Sequence, residues 1–268
     1  MRQWRLLYDS HAPGAANMAV DEAIMTAVAS GEVAPTLRLY GWVPPCLSLG
    51  YGQRAGDVDR SRLAAREWEI VRRPTGGSAI LHTDELTYSV ALPIEHELAR
   101  GGVVESYRRI SLALQSALMR LGVQPRAERA ESPTAPKPVC FETPSHYEIT
   151  VEGRKLIGSA QVRRRNGLLQ HGTLPLTGDI SRICEALVYP DEQARAAAKA
   201  AVRARAITLS EALRREMDWQ TAADAVTQGF AEALDIAFTS EALSASESAV
   251  VERLTAEIYG GDDWTFRR

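Results

Sequence analysis

Residues 147–176 read YEITVEGRKLIGSAQVRRRNGLLQHGTLPL, and this stretch decides the fold. It is rich in strand-forming residues, and it contains the pairs Glu152-Gly153 and Asn166-Gly167, both typical of tight hairpin turns. The stretch therefore predicts consecutive antiparallel strands joined by two hairpins.

The sequence before this block predicts more strands and three helices. Strand-like runs cover residues 36–40 and 47–50 on either side of Pro44-Pro45, and residues 70–92 have the pattern strand, glycine turn, strand. Apolar residues at helical spacing predict helices over 17–29, with Asn17 as the N-cap, and over 105–121. A shorter helix is predicted from about residue 59 to 68.

After about residue 179 the pattern predicts helices throughout. We therefore predict an α+β fold with a mixed, largely antiparallel sheet flanked by helices. The chain is interpreted as one catalytic domain over residues 1–268, with a strand-rich part at 1–178 and a helical part at 179–268. A small second lobe, with its boundary near residue 178, stays open as an alternative.

The composition excludes several classes of protein. The 31 basic and 34 acidic residues give a net charge of −3, so no global field favours nucleic acid. No apolar run is long enough to span a bilayer, and the N-terminus does not resemble a signal peptide. The three cysteines do not suggest disulfides, and their spacing resembles no zinc site. We expect a cytoplasmic protein with no membrane and no nucleic-acid partner.

Two glycine-containing segments carry polar groups where a buried strand would need β-branched residues. The first is RRPTGGSAILH, whose paired glycines let backbone N–H groups approach a ligand, and whose arginine could bond bidentately to a carboxylate or phosphate. A hairpin turn with surface arginines is the alternative. Its candidate binding residues are Arg73, Thr75, Gly76, Gly77, Ser78, Ala79 and His82.

The second segment is GRKLIGSAQ, followed by QHGT. Lys155 lies between a turn and an apolar pair and could point inward, where a desolvated lysine could bind a thioester carbonyl or stabilise a thiolate. A solvated hairpin lysine is the alternative, and the histidine could be structural. The candidate residues here are Lys155, Gly158, Ser159, Ala160, His171, Gly172 and Thr173.

Cys140 directly follows the proline-rich run SPTAPKPV, which predicts a loop. A loop cysteine is unusual because free cysteines are mostly buried packing residues. A nearby cation such as Lys155 would raise its thiolate fraction, so Cys140 is a candidate nucleophile. A half-buried spare thiol is the alternative. Cys46 and Cys184 are predicted to be packing residues.

These motifs resemble those of the lipoate-protein ligase and octanoyltransferase family. RRPTGGSAILH is similar to the family pattern RRxTGGGAVxH, with Ser78 in place of the third glycine, and GRKLIGSAQVRR with LLQHGTL resembles its second signature. The likeness spans about residues 1–265. It implies a biotinyl/lipoyl protein ligase-like domain, Lys155 as the catalytic lysine, and the candidate residues above as the acyl pocket.

The segment CFETPSHYEITVEGRK resembles the Gram-positive-type cysteine octanoyltransferase branch, which implies Cys140 as the nucleophile. The resemblance then implies octanoyl transfer from acyl carrier protein to a lysine of a lipoyl-domain protein, such as the glycine cleavage H protein, in lipoate biosynthesis. It implies no required cofactor and no metal. An ATP-dependent lipoate-protein ligase, which would need ATP and Mg²⁺, is one alternative, and a non-catalytic acyl- or lipoate-binding module is another. Arg163-Arg164-Arg165 is either a solvated face or a surface for acidic carriers.

Overall fold

A computed structural model describes residues 1–128 and 148–268. Cys140 and the proline-rich run before it lie outside these ranges. The strands are β1 (Arg2–Tyr8), β2 (Thr36–Tyr40), β3 (Cys46–Leu49), β4 (Glu69–Arg72), β5 (Ile80–His82), β6 (Glu85–Pro93), β7 (Arg126–Glu128), β8 (Glu148–Val151), β9 (Arg154–Arg164), β10 (Gly167–Pro175) and β11 (Ile236–Ser240). The α-helices are α1 (Gly14–Ala29), α2 (Arg60–Ala64), α3 (Val103–Arg120), α4 (Glu192–Arg205), α5 (Leu209–Leu213), α6 (Trp219–Leu234), α7 (Ala245–Leu254) and α8 (Asp262–Thr265).

The strands form one large and one small sheet. The large sheet has eight strands in the order β11-β1-β2-β6-β10-β9-β8-β7, and the small one has the order β4-β3-β5. Along this order in the large sheet, β1 pairs in parallel with both β11 and β2. Every later pair, from β2-β6 to β8-β7, is antiparallel. The predicted fold class, a mixed and largely antiparallel sheet with helices on its faces, is confirmed.

Both predicted hairpins in residues 147–176 are present. Glu152 and Gly153 have φ values of 52° and 73°, the left-handed geometry that suits the twist of a two-residue hairpin turn. The second turn uses Arg165 and Asn166, with φ values of 50° and 62°, one residue before the predicted Asn166-Gly167 pair. The turn moves because Gly167 already pairs with Arg164 and Pro93 as the first residue of β10.

The structure differs from the sequence analysis in three other places. Helix α1 begins at Gly14 after Pro13, and Asn17 lies inside it. The Asn17 side chain instead donates to the carbonyl oxygens of Ala12 and Gly41. Strand β1 went unpredicted, and β11 interrupts the part expected to be helical because it pairs with β1.

Helices cover both faces of the large sheet, and one of these faces holds the site. On the other face, α3 packs against α6 over the main hydrophobic core, and Ile110, Leu114 and Leu118 are buried on the predicted face of α3. The opposite face is covered by α1 and approached by the small sheet. In the described ranges, no helix combines the length and apolarity that a membrane span requires.

Candidate active site

A cavity lies between the large sheet, α1 and the small sheet. Its floor is formed by strand residues that face the same side because side chains alternate along β6, β9 and β10. The lining residues are Met18, Tyr40, Trp42, Ser48, Arg73, Ile80, His82, Thr87, Gly158, Ala160, His171, Gly172 and Thr173. Glycine and alanine on β9 leave the space that larger side chains would fill.

Arg73 is buried beside the cavity and holds the glycine loop, residues 74–79, in place. Its Nη1 donates to the backbone oxygen and hydroxyl of Ser48 at 2.9 and 3.1 Å. Its Nη2 donates to the carbonyl oxygens of Gly76 and Ser78, each at 2.8 Å. These contacts build the loop, and the expected bidentate contact to a ligand carboxylate or phosphate stays a prediction.

Of the three consecutive small residues Gly76, Gly77 and Ser78 in the glycine loop, Gly77 is the one whose backbone requires glycine. Gly77 has a φ of 90°, which L-residues with a side chain rarely adopt. Its carbonyl oxygen also lies where a Cβ on Gly50 would be, at 1.8 Å, so the loop packs directly on the end of β3. Ser78 is not among the residues with positive φ, and serine is accommodated there without backbone strain.

His171 connects the glycine loop to a buried carboxylate. Its Nε2 is 2.7 Å from the Thr75 hydroxyl and its Nδ1 is 3.0 Å from Asp21 Oδ2. Burial lowers the pKa of His171, although the charge of Asp21 acts to raise it. The lowered pKa favours the neutral ring. Burial alone would raise the pKa of Asp21, but hydrogen bonding from His171 and the charge of Arg38 outweigh it, and the pKa is lowered. A neutral His171 donates to Asp21 and accepts from Thr75.

A second chain of hydrogen bonds orients His82. Its Nδ1 is 2.5 Å from Glu85 Oε1 and its Nε2 is 2.8 Å from the Ser48 hydroxyl. The ring stacks on Trp42 with centroids 3.9 Å apart and planes 9° apart. The indole N–H of Trp42 is bonded to Thr87 at 2.8 Å. Polar atoms of these lining residues are thus engaged with one another, and largely apolar surface is presented to the cavity.

Thr173 is one of the polar residues that line the cavity. Its hydroxyl is buried and has no hydrogen-bond partner among residues 1–128 and 148–268. A buried hydroxyl without a partner is costly, so this atom is available to a polar group of a bound molecule.

Lys155 points inward, as predicted, because of a bulge in β9. Ile149 pairs with Ile157 but Thr150 pairs with Lys155, so Leu156 is an extra residue on β9. Leu156 and Ile157 both enter the main core, which turns Lys155 toward the opposite face of the sheet. Lys155 is 3% exposed, and its Nζ is 2.7 Å from Glu148 Oε1.

The structure places the predicted pocket residues in the cavity wall, in the glycine loop, or outside both. Arg73, His82, Gly158, Ala160, His171, Gly172 and Thr173 line the cavity. Thr75, Gly76, Gly77 and Ser78 shape the loop behind it. Ala79 packs with Leu47 in a separate core, and the hydroxyl of Ser159 is 2.7 Å from that of Tyr88. Cys140 lies outside the described residues, so its predicted role stays a prediction.

The other two cysteines are buried in hydrophobic cores, which confirms that they are packing residues. Burial raises the pKa of the Cys46 thiol well above its usual value, which disfavours a thiolate. The described chain contains no cluster of three or more His, Cys, Asp or Glu side chains that could hold a metal ion.

The sequence interpretation missed Asp21 and Glu148. Asp21 accepts from Arg38, Tyr40, Ser89 and His171, and Glu148 contacts Lys155. The acidic pair Asp21-Glu22, inside the otherwise apolar run of α1, was a signal that could have revealed the first.

The arginine run at the end of β9 is largely occupied by the fold. Arg163 donates to the carbonyl oxygens of Gly101 and Gly102. Arg164 forms an ion pair with Glu22, whereas Arg165 is mostly exposed. A docking surface on this run would therefore depend mainly on Arg165.

Known proteins share both the sequence and the fold. The model of the lipoyl protein ligase A/B catalytic domain family matches residues 13–231. The chain belongs to this family. It is 42% identical to octanoyltransferase LipM of Kyrpidia tusciae over 100% of both chains. It is 43% identical to octanoyltransferase LipM of Symbiobacterium thermophilum, over 99% of this chain and 98% of that one.

Solved structures support the family fold. A bi-partite lipoate protein ligase from Thermoplasma acidophilum superposes with a TM-score of 0.84 at 23% identity, over 99% of this chain and 97% of that one. A lipoate-protein ligase A bound with ATP gives a TM-score of 0.82 at 22% identity, over 99% of both chains. At these identities the likeness shows the fold alone. The LipM relatives confirm the predicted family branch and enzyme class, an octanoyltransferase.

Proposed function

We propose that the enzyme transfers an octanoyl group from acyl carrier protein to a lysine of a lipoyl-domain protein, through a thioester on Cys140. The supporting observation is the buried Lys155, which a bulge turns toward the sheet face that holds a cavity with largely apolar walls. Each methylene buried there contributes about 0.8 kcal/mol, so an octanoyl tail would be held by roughly 5–6 kcal/mol.

The reaction has two acyl transfers. The Cys140 thiolate attacks the carbonyl carbon of the octanoyl thioester, and the carrier thiolate leaves and takes up a proton. The acceptor lysine, as a neutral amine, then attacks the Cys140 thioester. An amide forms as the cysteine thiolate leaves, and the thiolate takes up the proton that the amine nitrogen loses. The Lys155 ammonium stabilises the oxyanion in both steps, and the Thr173 hydroxyl is a second donor on the same face.

A thioester donor already carries an activated acyl group, so the proposal includes no ATP, Mg²⁺ or other cofactor. The acceptor class is supported by the structurally similar Thermoplasma ligase, which was solved as a system with its E2 lipoyl domain. The glycine cleavage H protein is one such acceptor. A cytoplasmic location belongs to the same proposal.

Intact-mass spectrometry tests the covalent step. Incubation with octanoyl acyl carrier protein is expected to add one octanoyl group to the enzyme, and hydroxylamine should remove it. Cys140→Ala should carry no adduct, while Cys46→Ser serves as the control at a buried thiol. An adduct that persists in Cys140→Ala would refute the assignment. Pyrophosphate release from ATP and lipoate would instead indicate a ligase.

A further inference from the structure

Glu148 and Lys155 form a nearly buried ion pair on the sheet face that holds the cavity. The Nζ to Oε1 distance is 2.7 Å, and the side chains are 3% and 15% exposed for Lys155 and Glu148. Burying two charges is costly, so a pair in this position requires close contact to persist.

Two separate features of the strands bring these side chains together. On β8, Ile149 and Val151 face the main core, so Glu148 faces the opposite side by strand alternation. On β9, the extra residue Leu156 reverses the alternation and turns Lys155 to that same side. A regular β9 would point Lys155 into the main core.

From this geometry we infer that Glu148 is a positioning residue that keeps Lys155 protonated and fixes its direction; the inference rests on the function proposed above. Desolvation favours the neutral amine of a buried lysine, whereas a carboxylate in contact favours the ammonium. Only the ammonium supplies a positive charge to an oxyanion. Glu148 thus preserves the form of Lys155 that the reaction uses.

The other charged groups near this part of β9 are matched among themselves. Arg154, next to Lys155, is 3.6 Å from Glu152 and 3.7 Å from Glu211. Across the backbone bridge from Lys155 to Ala206, the cleft holds Arg203 and Asp179, which are 2.6 Å apart. Glu148 is a carboxylate in hydrogen-bond contact with the Lys155 ammonium.

The test compares Glu148→Gln with a matched variant, Glu152→Gln, which removes the same charge from an exposed site in the same hairpin. Glu148→Gln is expected to slow octanoylation of the enzyme in a single turnover by about 10- to 100-fold, the effect of losing a hydrogen bond to a buried charge. Glu152→Gln should stay within about twofold, because exposed ion pairs contribute little. Glu148→Asp should recover part of the rate.

A second measurement reports the protonation state of Lys155 directly. Trace acetylation with acetic anhydride modifies only neutral amines, and peptide mass spectrometry gives the ratio of Lys155 to Lys199 labelling. The ratio is expected to rise several-fold in Glu148→Gln and to stay unchanged in Glu152→Gln. A merely structural glutamate would lower the melting temperature without changing this ratio.

Several outcomes would overturn the inference. The inference is overturned if Glu148→Gln is octanoylated at the wild-type rate and its ratio of Lys155 to Lys199 labelling is unchanged. If Glu148→Gln fails to fold, two other variants take its place. The inference is overturned if Glu148→Asp keeps the wild-type rate and labelling ratio and Lys155→Arg also keeps the wild-type rate. Together these results would show that the geometry of neither partner matters. Absence of an octanoyl adduct on the wild type would refute the proposed function, while the labelling ratio would still test the ion pair.

Discussion

A buried cation lies at the glycine loop and another in the hairpin β8–β9, and the two cations have different partners. Arg73 in front of the loop donates to neutral oxygens of Ser48, Gly76 and Ser78. Lys155 in the hairpin contacts the carboxylate of Glu148. These four arginine contacts join the loop to the strand beside it, so they build the cavity wall.

The difference follows from the chemistry of the two side chains. A planar guanidinium has five donors in a fixed fork, and it can join several carbonyl oxygens at once. An ammonium is a compact charge on a flexible stem, and a carboxylate is needed to hold it protonated away from water. We therefore expect Arg73 to determine mainly stability and Lys155 to determine mainly rate.

The largest expected effect is that of Lys155→Ala on turnover. Loss of the ammonium should lower the octanoyl transfer rate by about 10²–10³-fold, the usual cost of removing a charge-stabilising donor. The rate is measured with octanoyl acyl carrier protein and a lipoyl-domain acceptor, and circular dichroism checks the fold. Intact turnover in this variant would remove the distinction between the two cations.

Arg73→Lys should have an intermediate effect, and mainly on stability. A lysine cannot contact Ser48 and the loop carbonyls together, so at least one buried oxygen loses its donor. The free energy of unfolding should fall by about 1–3 kcal/mol, as measured by urea denaturation. The acylation rate of the folded variant should fall less than that of Lys155→Ala, and the reverse order would contradict the comparison.

Ser78→Gly should have the smallest effect. Ser78 does not have a positive φ, so the family's usual glycine is not required by the backbone. The free energy of unfolding should change by less than about 0.5 kcal/mol, and the transfer rate should be unchanged. A large gain in rate would instead show that Ser78 restrains the loop.

Features set by neighbouring residues were predictable from the sequence. The hairpins depend on Glu152-Gly153 and on the Asn166 region, and α3 depends on apolar residues at helical spacing; both are local signals. The two glycine-containing segments predicted most of the cavity because small residues leave space wherever the chain folds.

Features that depend on distant partners were not predictable. Strand β1 carries few local signals, and it is defined by pairing with β2 and β11. The acidic pair in α1 marks the position of Asp21, but its contacts with β2, β6 and β10 could not be inferred from the helical pattern. The register shift that places Lys155 and Glu148 on the same face arises from the pairing of β8 with β9. The sequence of either strand alone does not reveal this shift.

The parallel pairing of β1 with β11 has a consequence during synthesis on the ribosome. Residues 2–6 meet residues 236–240, so the outer side of β1 lacks this pairing strand until residues 236–240 have been made. At translation rates of about 5–20 residues per second, this interval lasts on the order of 10–50 s. During that time an unpaired strand edge is open to other nascent chains or to a chaperone.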